Sequence, residues 1–188
     1  LPVAVLGVLL GLGACASGPP RRGTPAPGMV AAPGWATVSG LTFVPQEGRA
    51  DCGAAALAML LGRWGSDTSA EAMRTRTGPI DDREGLKAGR LRAIARAEGL
   101  NAFIISGTFE DLAHEVERGH PVVVGVLRAV GRRGYPHYVV VTGVNRERRR
   151  LLTADPAEGW KEQTFEDFES RWRFSRNLAL VAWREPAR

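Results

Sequence analysis

The chain has little cysteine, with only Cys15 and Cys52 among its 188 residues. Two cysteines cannot build the dense disulfide framework that holds many small secreted domains together. Cys15 ends an apolar segment, whereas Cys52 opens a run rich in Ala, Leu and Met. If Cys15 carries a covalent modification, Cys52 has no cysteine partner and is a free thiol in a compartment where disulfides usually form. Nucleophilic catalysis is the best explanation for such a thiol.

A long apolar run is also missing, because the apolar segment at residues 2–14 is shorter than the roughly 20 residues of a membrane-spanning helix. Its length fits the apolar region of a secretory signal, with small residues before a cleavage site. The tetrad Leu-Gly-Ala-Cys that ends at Cys15 resembles the lipobox of bacterial lipoproteins, in which the cysteine receives a lipid. A plain signal peptide with an incidental cysteine is the alternative.

Lysine is scarce as well, since Lys87 and Lys161 are the two lysines among 25 basic residues, and the formal net charge is +5. The arginines are spread along the chain and do not form one stripe. Their densest run, residues 146–150, lies between two apolar runs and is typical of a hairpin turn. We therefore expect no nucleic-acid partner, and at most weak attraction to acidic partners or membrane surfaces.

Composition divides the chain into three parts. Residues 16–34 are rich in Pro, Gly and Ala, which favours a flexible tether because such a segment cannot bury a core. We predict a lipoprotein signal at residues 1–14, a lipid-anchor site at Cys15 with its tether to residue 34, and one folded domain at residues 35–188. Ala16 and Ser17 resemble the sorting pattern of outer-membrane lipoproteins, so the domain is expected to face the periplasm.

Helix patterns dominate the first half of the predicted domain. Residues 52–64 are apolar almost all round, which is typical of a buried helix, with Asp51 as its N-cap and Gly65 at its end. Gly53 is expected to keep the approach to the thiol open. Further helices are predicted at residues 68–78, 86–98, 108–118 and 165–172, the first and third of these with a capping box, Thr68 with Glu71 and Thr108 with Asp111.

Strand patterns dominate the second half. Runs rich in β-branched or apolar residues occur at residues 121–127, 137–144, 151–154, 161–164 and 178–183, after an isolated one at 41–44. Helices first and successive strands second predict an α+β fold, with the N-terminal helices packed on an antiparallel sheet.

Four polar residues stand where these elements would bring them together. Cys52 begins the buried helix, and Gln46 lies six residues before it. His137 begins a strand and Asp155 follows the next one. Because these two strands pair naturally as a hairpin, the start of one lies beside the end of the other. His137 and Asp155 are therefore expected to be neighbours.

These residue types fit acyl transfer by a thiol. The thiolate is the nucleophilic form, and both a helix N-terminus and a nearby imidazolium stabilise it. Asp155 would hold the imidazole of His137 in the useful tautomer, with Asn145 or a backbone carbonyl as the alternative partner. Gln46 would donate an N–H to the developing oxyanion, alongside the backbone N–H of Cys52.

The segments VPQEGRADCGAAALAML, PHYVVVTGV and ADP carry a more specific resemblance. In order and spacing they resemble the papain-like cysteine peptidases of the double-glycine-leader (bacteriocin-processing) family, over roughly residues 43–183. The resemblance implies a papain-like fold, with Cys52 as nucleophile and His137 as base. It also implies Asp155 as the residue that orients the base, and Gln46 at the oxyanion hole.

We therefore expect an envelope-anchored cysteine peptidase that hydrolyses a peptide bond in an exported peptide or protein through an acyl-enzyme intermediate. A papain-like amidase or acyltransferase and a non-catalytic peptide-binding lipoprotein are the alternatives. Cys52 and His137 also fit a structural thiol and a structural histidine, or a Cys-His-Asp zinc site. We expect no cofactor and a monomer, and we expect His114 and His120 at the surface.

Overall fold

Residues 23–185 are described by a computed structural model, and Cys15 with the predicted signal segment lies outside them. Five α-helices and eight strands are found in this part of the chain. The helices are α1 (Cys52–Arg63), α2 (Ala70–Thr77), α3 (Ala88–Ala97), α4 (Phe109–Glu117) and α5 (Phe165–Trp172). The strands are β1 (Pro27–Val30), β2 (Trp35–Thr37), β3 (Asn101–Ser106), β4 (Val122–Val130), β5 (Arg133–Asn145), β6 (Arg150–Asp155), β7 (Gly159–Thr164) and β8 (Leu178–Trp183).

Seven of these strands form one antiparallel sheet, in the order β3-β8-β4-β5-β6-β7, with β2 on β5. The 13-residue strand β5 is shared by the hairpins β4–β5 and β5–β6. A bulge between Val141 and Gly143 shifts the register of the second hairpin. One edge of β5 pairs with β4 on the N-terminal side of the bulge, and the same edge pairs with β2 on its C-terminal side. The predicted α+β class is confirmed.

Helices cover both faces of the sheet, and the N-terminal helices that the sequence predicted on it form one of the two layers. The apolar residues of α1 and α3 form one core cluster with the sheet, and those of α4 and α5 form the other. The reason is visible in β4, where five successive residues from Val122 to Val126 are buried. A strand buried on both faces needs a cover on each side.

The helix ends partly match the predictions. Thr108 and Asp111 form the predicted capping box of α4. Asp51 precedes α1 but does not cap it, because its carboxylate accepts the backbone N–H of Gly48 at 2.7 Å. The capping box predicted at Thr68 is one residue out of place, since the hydroxyl of Ser69 accepts the N–H of Ala72 and α2 begins at Ala70.

Two strand predictions differ from the structure. Residues 41–44 form no strand, and Phe43 instead packs its buried ring against Trp160, with centroids 6.0 Å apart. Strand β3 was not predicted from the sequence. It pairs along its whole length with β8, so a long-range partner stabilises a six-residue segment whose local pattern is weak.

Part of the segment predicted as a tether lies against the domain. β1 falls inside it, and the backbone N–H of Val30 donates to Glu162 at 3.2 Å. The side-chain amide of Asn145 donates to the carbonyl of Pro33 at 2.9 Å. Between residues 23 and 185 no helix has both the length and the apolar character needed to cross a bilayer.

Candidate active site

Cys52 is the first residue of α1 and is 8% exposed. The helix that carries it is buried along nearly its whole length, which fixes the sulfur relative to the sheet. The first turn of a helix has backbone N–H groups without intrahelical acceptors, so the thiol lies at the positive end of the helix dipole. A thiolate is stabilised by this position.

His137 and Asp155 are neighbours, as the hairpin predicted. Nε2 of His137 lies 2.7 Å from Oδ1 of Asp155, and both side chains are 6% exposed. The ladder between β5 and β6 ends with Val140 opposite Ala154, so Asp155 projects from the last position of β6 toward the residues before Val140. Oδ1 of Asp155 also accepts the backbone N–H groups of the turn after β6. The hydrogen bond between His137 and Asp155 occupies Nε2 of the imidazole and leaves Nδ1 for the thiol of Cys52.

Opposing effects act on the imidazole. Burial by itself lowers the pKa of His137, but the hydrogen bond and charge of Asp155, together with Cys52, outweigh it and raise the pKa to about 9. Burial likewise acts to raise the pKa of Asp155, while the bond to His137 and the turn N–H groups hold it below its usual value. At neutral pH the site therefore favours an imidazolium between a carboxylate and the sulfur.

Gln46 lies next to this pair through its backbone. Its N–H donates to the carbonyl of Pro156, the residue after Asp155, at 3.0 Å. Its Nε2 donates one hydrogen to the carbonyl of Gly48 at 2.9 Å, which leaves the second hydrogen free for another acceptor. Oε1 is buried and has no hydrogen-bond partner within residues 23–185.

Tyr138 is a site neighbour that the sequence analysis missed. A Cβ on Gly53 would lie 3.1 Å from Cβ of Leu86 and 3.4 Å from the ring of Tyr138, so α1 begins in close contact with both. Gly53 is thus needed for packing, rather than for the open approach that the sequence predicted. Burial, and then the nearby sulfur of Cys52, raise the pKa of Tyr138 to about 12, although the N–H of Ala88 opposes them. In the sequence, the position of Tyr138 directly after His137 was the one signal for its place near the thiol.

A cavity of about 410 Å³ opens beside Gln46 and runs between α1 and α2. Most of its lining is apolar, including Ala54, Ala58, Met73 and Ile80. Such a concave, mainly apolar surface is typical of a site that binds part of a substrate.

The remaining candidates lie elsewhere. Asn145 is fully buried at the far end of β5, where it binds Pro33 and the N–H of Arg148, so it does not orient His137. His120, predicted at the surface, is 8% exposed and forms a 2.8 Å hydrogen bond with Glu115. His114 is exposed. Within the described part of the chain no group of three His, Cys, Asp or Glu residues is arranged to hold a metal ion.

Comparison with known proteins assigns this chain to a family. The model of the Peptidase C39 family matches residues 41–186. The lactococcin-G-processing and transport ATP-binding protein LagD of Lactococcus lactis is 26% identical over 141 residues. A lactococcin transport/processing protein, LcnC-like, of the same species is 29% identical over 132 residues. Each match covers 69% of this chain, which spans about 17% of the length of these relatives.

Solved structures agree with the fold. The peptidase domain of Streptococcus ComA has a TM-score of 0.61 and 26% identity, covering 76% of this chain and 97% of that domain. A C39-like peptidase from Bacillus anthracis has a TM-score of 0.64 at 17% identity, covering 81% of this chain and 99% of its own, which supports the papain-like fold. The family match spans most of the chain and includes Cys52, His137 and Asp155. The chain therefore belongs to the Peptidase C39 family and is a cysteine peptidase.

Proposed function

We propose that Cys52, His137 and Asp155 form the catalytic triad, and that the enzyme hydrolyses a peptide bond through an acyl-enzyme. The observation that carries this proposal is the buried 2.7 Å contact between His137 and Asp155. It lies where Cys52, at the N-terminus of α1, contributes to the raised pKa of the same imidazole. A structural histidine would not need a buried carboxylate on one side and a thiol on the other.

The chemistry follows from this geometry. The thiolate of Cys52 attacks the scissile carbonyl, and its backbone N–H with the free hydrogen of Gln46 Nε2 stabilises the oxyanion. The imidazolium of His137 gives its proton to the leaving amine, and the thioester remains on Cys52. His137 then takes a proton from water, which attacks the thioester and releases the acid. Asp155 keeps the ring oriented and stabilises its charged form.

The substrate proposed is a peptide with a leader that ends in Gly-Gly. The lactococcal relatives are named for processing lactococcins, and a double glycine motif protease with the same fold (TM-score 0.60, 23% identity) was solved with a leader peptide. Two glycines before the scissile bond suit a thiol that is only 8% exposed, because they add no side chain to a narrow approach. The apolar cavity beside Gln46 offers room for apolar residues of the leader.

The test is cleavage of a synthetic leader peptide by the purified domain, followed by mass spectrometry. We expect one cut directly after Gly-Gly, no cut when both glycines are replaced by valine, and no cut by the Cys52→Ala variant. An intact Gly-Gly peptide, with Cys52 still reactive toward alkylating agents, would exclude this substrate class. Transfer of the leader to an added amine in place of water would identify an acyltransferase.

We further propose that Cys15 carries a lipid that anchors the enzyme at the outer membrane, facing the periplasm. The support is the lipobox-like tetrad after an apolar segment in the sequence. Several acyl chains, each contributing about 0.8 kcal/mol per buried CH₂, would make the attachment practically permanent. Metabolic labelling with an alkyne fatty acid is expected to mark the wild type and to miss Cys15→Ser. Equal labelling of both proteins would rule the anchor out.

A further inference from the structure

The β4–β5 hairpin continues well past the catalytic histidine. His137 pairs with Val126, and the ladder runs on until Val130 pairs with Arg133 at the turn. No bulge interrupts this part of the ladder. Because side chains alternate between the two faces of a strand, Tyr135 and Arg133 project from the same face as His137. The hairpin therefore places two further side chains of β5 on the same face of the strand as His137.

A second element reaches the same face. Arg49 belongs to the loop between Gln46 and Cys52, and its guanidinium lies over the ring of Tyr135, 5.8 Å from the centroid. We call the surface formed by Arg49, Val130, Arg133 and Tyr135 the basic ledge. Arg49 and Arg133 are exposed, and so is the apolar side chain of Val130, at 47%.

The charge of the ledge is not neutralised from within the described residues. Arg128 is on the same face, but Glu158 pairs with it at 3.0 Å. Arg49 and Arg133 form no ion pair with any residue between 23 and 185. Stacking on Tyr135 leaves the N–H groups of the Arg49 guanidinium at its edge, where they can bind a carboxylate. Two arginines without acidic partners among the described residues therefore lie on the loop before Cys52 and on the part of β5 that precedes His137.

The ledge and the apolar cavity lie on different sides of the loop before Cys52. Gln46, Glu47 and Asp51 of that loop line the cavity, whereas Arg49 turns to Tyr135. The acidic residues of the loop are thus on the cavity side, and its arginine is on the ledge side. The loop that ends at Cys52 therefore separates the cavity from the ledge.

We propose that the basic ledge binds an acidic side chain of the substrate, on the side of the scissile bond away from the cavity. This inference rests on the proposed peptidase function and adds a preference for acidic peptides to it. Arg49 and Arg133 supply the charge, and Tyr135 holds Arg49 in place. Val130 adds an apolar contact for the neighbouring part of the peptide.

The experiment compares two alkylating peptides, bromoacetyl-Gly-Glu-amide and bromoacetyl-Gly-Gln-amide. The sulfur of Cys52 displaces bromide from either probe and forms the same thioether, so their rates differ only through the Glu side chain. Exposed ion pairs are individually weak, so we expect the glutamate probe to react about fivefold faster at low salt. This ratio is expected to fall as the salt concentration rises.

The double variant Arg49→Gln/Arg133→Gln is expected to bring the ratio to about one. Arg148→Gln is the matched control, because it removes one exposed arginine from the hairpin turn at the other end of β5, and it is expected to keep the ratio. A wild-type ratio of one, or a ratio that the double variant leaves unchanged, would overturn the proposal.

These probes need no peptide-bond cleavage, so the two proposals fail separately. A preserved ratio with uncut Gly-Gly peptides would support the ledge and exclude the proposed substrate. Efficient cleavage of Gly-Gly peptides with a ratio of one would support the substrate and exclude the ledge.

Discussion

At the residue scale, the site depends on an imidazole that stays charged although it is buried. His137 is 6% exposed, and an isolated imidazole in that position would lose its proton readily. Asp155 on one nitrogen and the sulfur on the other reverse this tendency.

We predict that Cys52 reacts with iodoacetamide at pH 6 much faster than free cysteine does. The positive end of α1 and the imidazolium of His137 both favour the thiolate, which is the reactive form. His137→Ala is expected to slow the reaction by about tenfold or more, because the thiolate loses its neighbouring positive charge. The measurement is the alkylation rate followed by mass spectrometry.

His114→Ala is the control, since His114 is exposed on α4, which packs on the opposite face of the sheet from α1. It should leave the alkylation rate unchanged. If wild-type Cys52 reacts at the rate of free cysteine, and His137→Ala leaves that rate unchanged, the result would favour a binding protein without catalytic turnover.

A second prediction concerns pH. The raised pKa of His137, about 9 against an ordinary value of 6.5, means that its charge stabilises the folded site fully below pH 6.5. That contribution is lost as the pH rises through about 9. Asp155→Asn removes the main group that raises this pKa, so the alkaline limb of kcat/KM is expected to move to lower pH.

Asp167→Asn is the matched control for Asp155→Asn. Its carboxylate is hydrogen-bonded by Thr164 at the start of α5, so the same chemical change is made outside the site. We expect an unchanged alkaline limb for Asp167→Asn. Equal pH profiles for the wild type and Asp155→Asn would show that Asp155 does not set the charge of His137.

At the scale of elements, α1 positions the thiol by close packing. Gly53 faces Leu86 and Tyr138, and a Cβ there would lie 3.1 Å from Cβ of Leu86. Tyr138 in turn accepts the N–H of Ala88 at the start of α3. The first turn of α1, the residues before α3 and strand β5 are thereby held together around the sulfur.

We predict opposite effects for two glycine-to-alanine changes in helices. Gly53→Ala is expected to destabilise the protein by about 1–3 kcal/mol, because overpacking outweighs the better helix propensity of alanine. Gly89→Ala in α3 adds a Cβ that meets nothing within 4 Å, so it is expected to stabilise by about 0.5–1 kcal/mol. Urea unfolding measures the free energy of unfolding of both variants. If Gly53→Ala is as stable as the wild type, α1 can shift without a loss of stability.

The sequence predicted those elements whose signal is local. Local sequence patterns were enough to predict the buried helix α1, the capping box of α4 and the β-branched strand that contains His137. The hairpin between β5 and β6 then brings Asp155 to His137. Strand β3 and the contact between Gly53 and Tyr138 depend on partners far along the chain. No local pattern encodes such contacts, and the ledge at Arg49 was missed for the same reason.

At the scale of the whole molecule, residues just before the predicted start of the folded domain contact that domain. Pro33 provides the acceptor for the side-chain amide of Asn145, which is completely buried. A chain that begins at residue 35 is predicted to be about 1–3 kcal/mol less stable than one that begins at residue 31, because it leaves that amide unpaired. Chemical unfolding of the two chains tests this, and identical stabilities would place the boundary at Trp35.

The order of strands in the sheet has a consequence for biosynthesis. β3 joins the sheet only through β8, which lies between β3 and β4 although it is the last described strand. While the chain emerges, β3 and α3 can pack against α1, but their place in the sheet is completed only when β8 arrives. The sheet is thus completed late, so in a nascent chain β3 has no strand partner until β8 has been made.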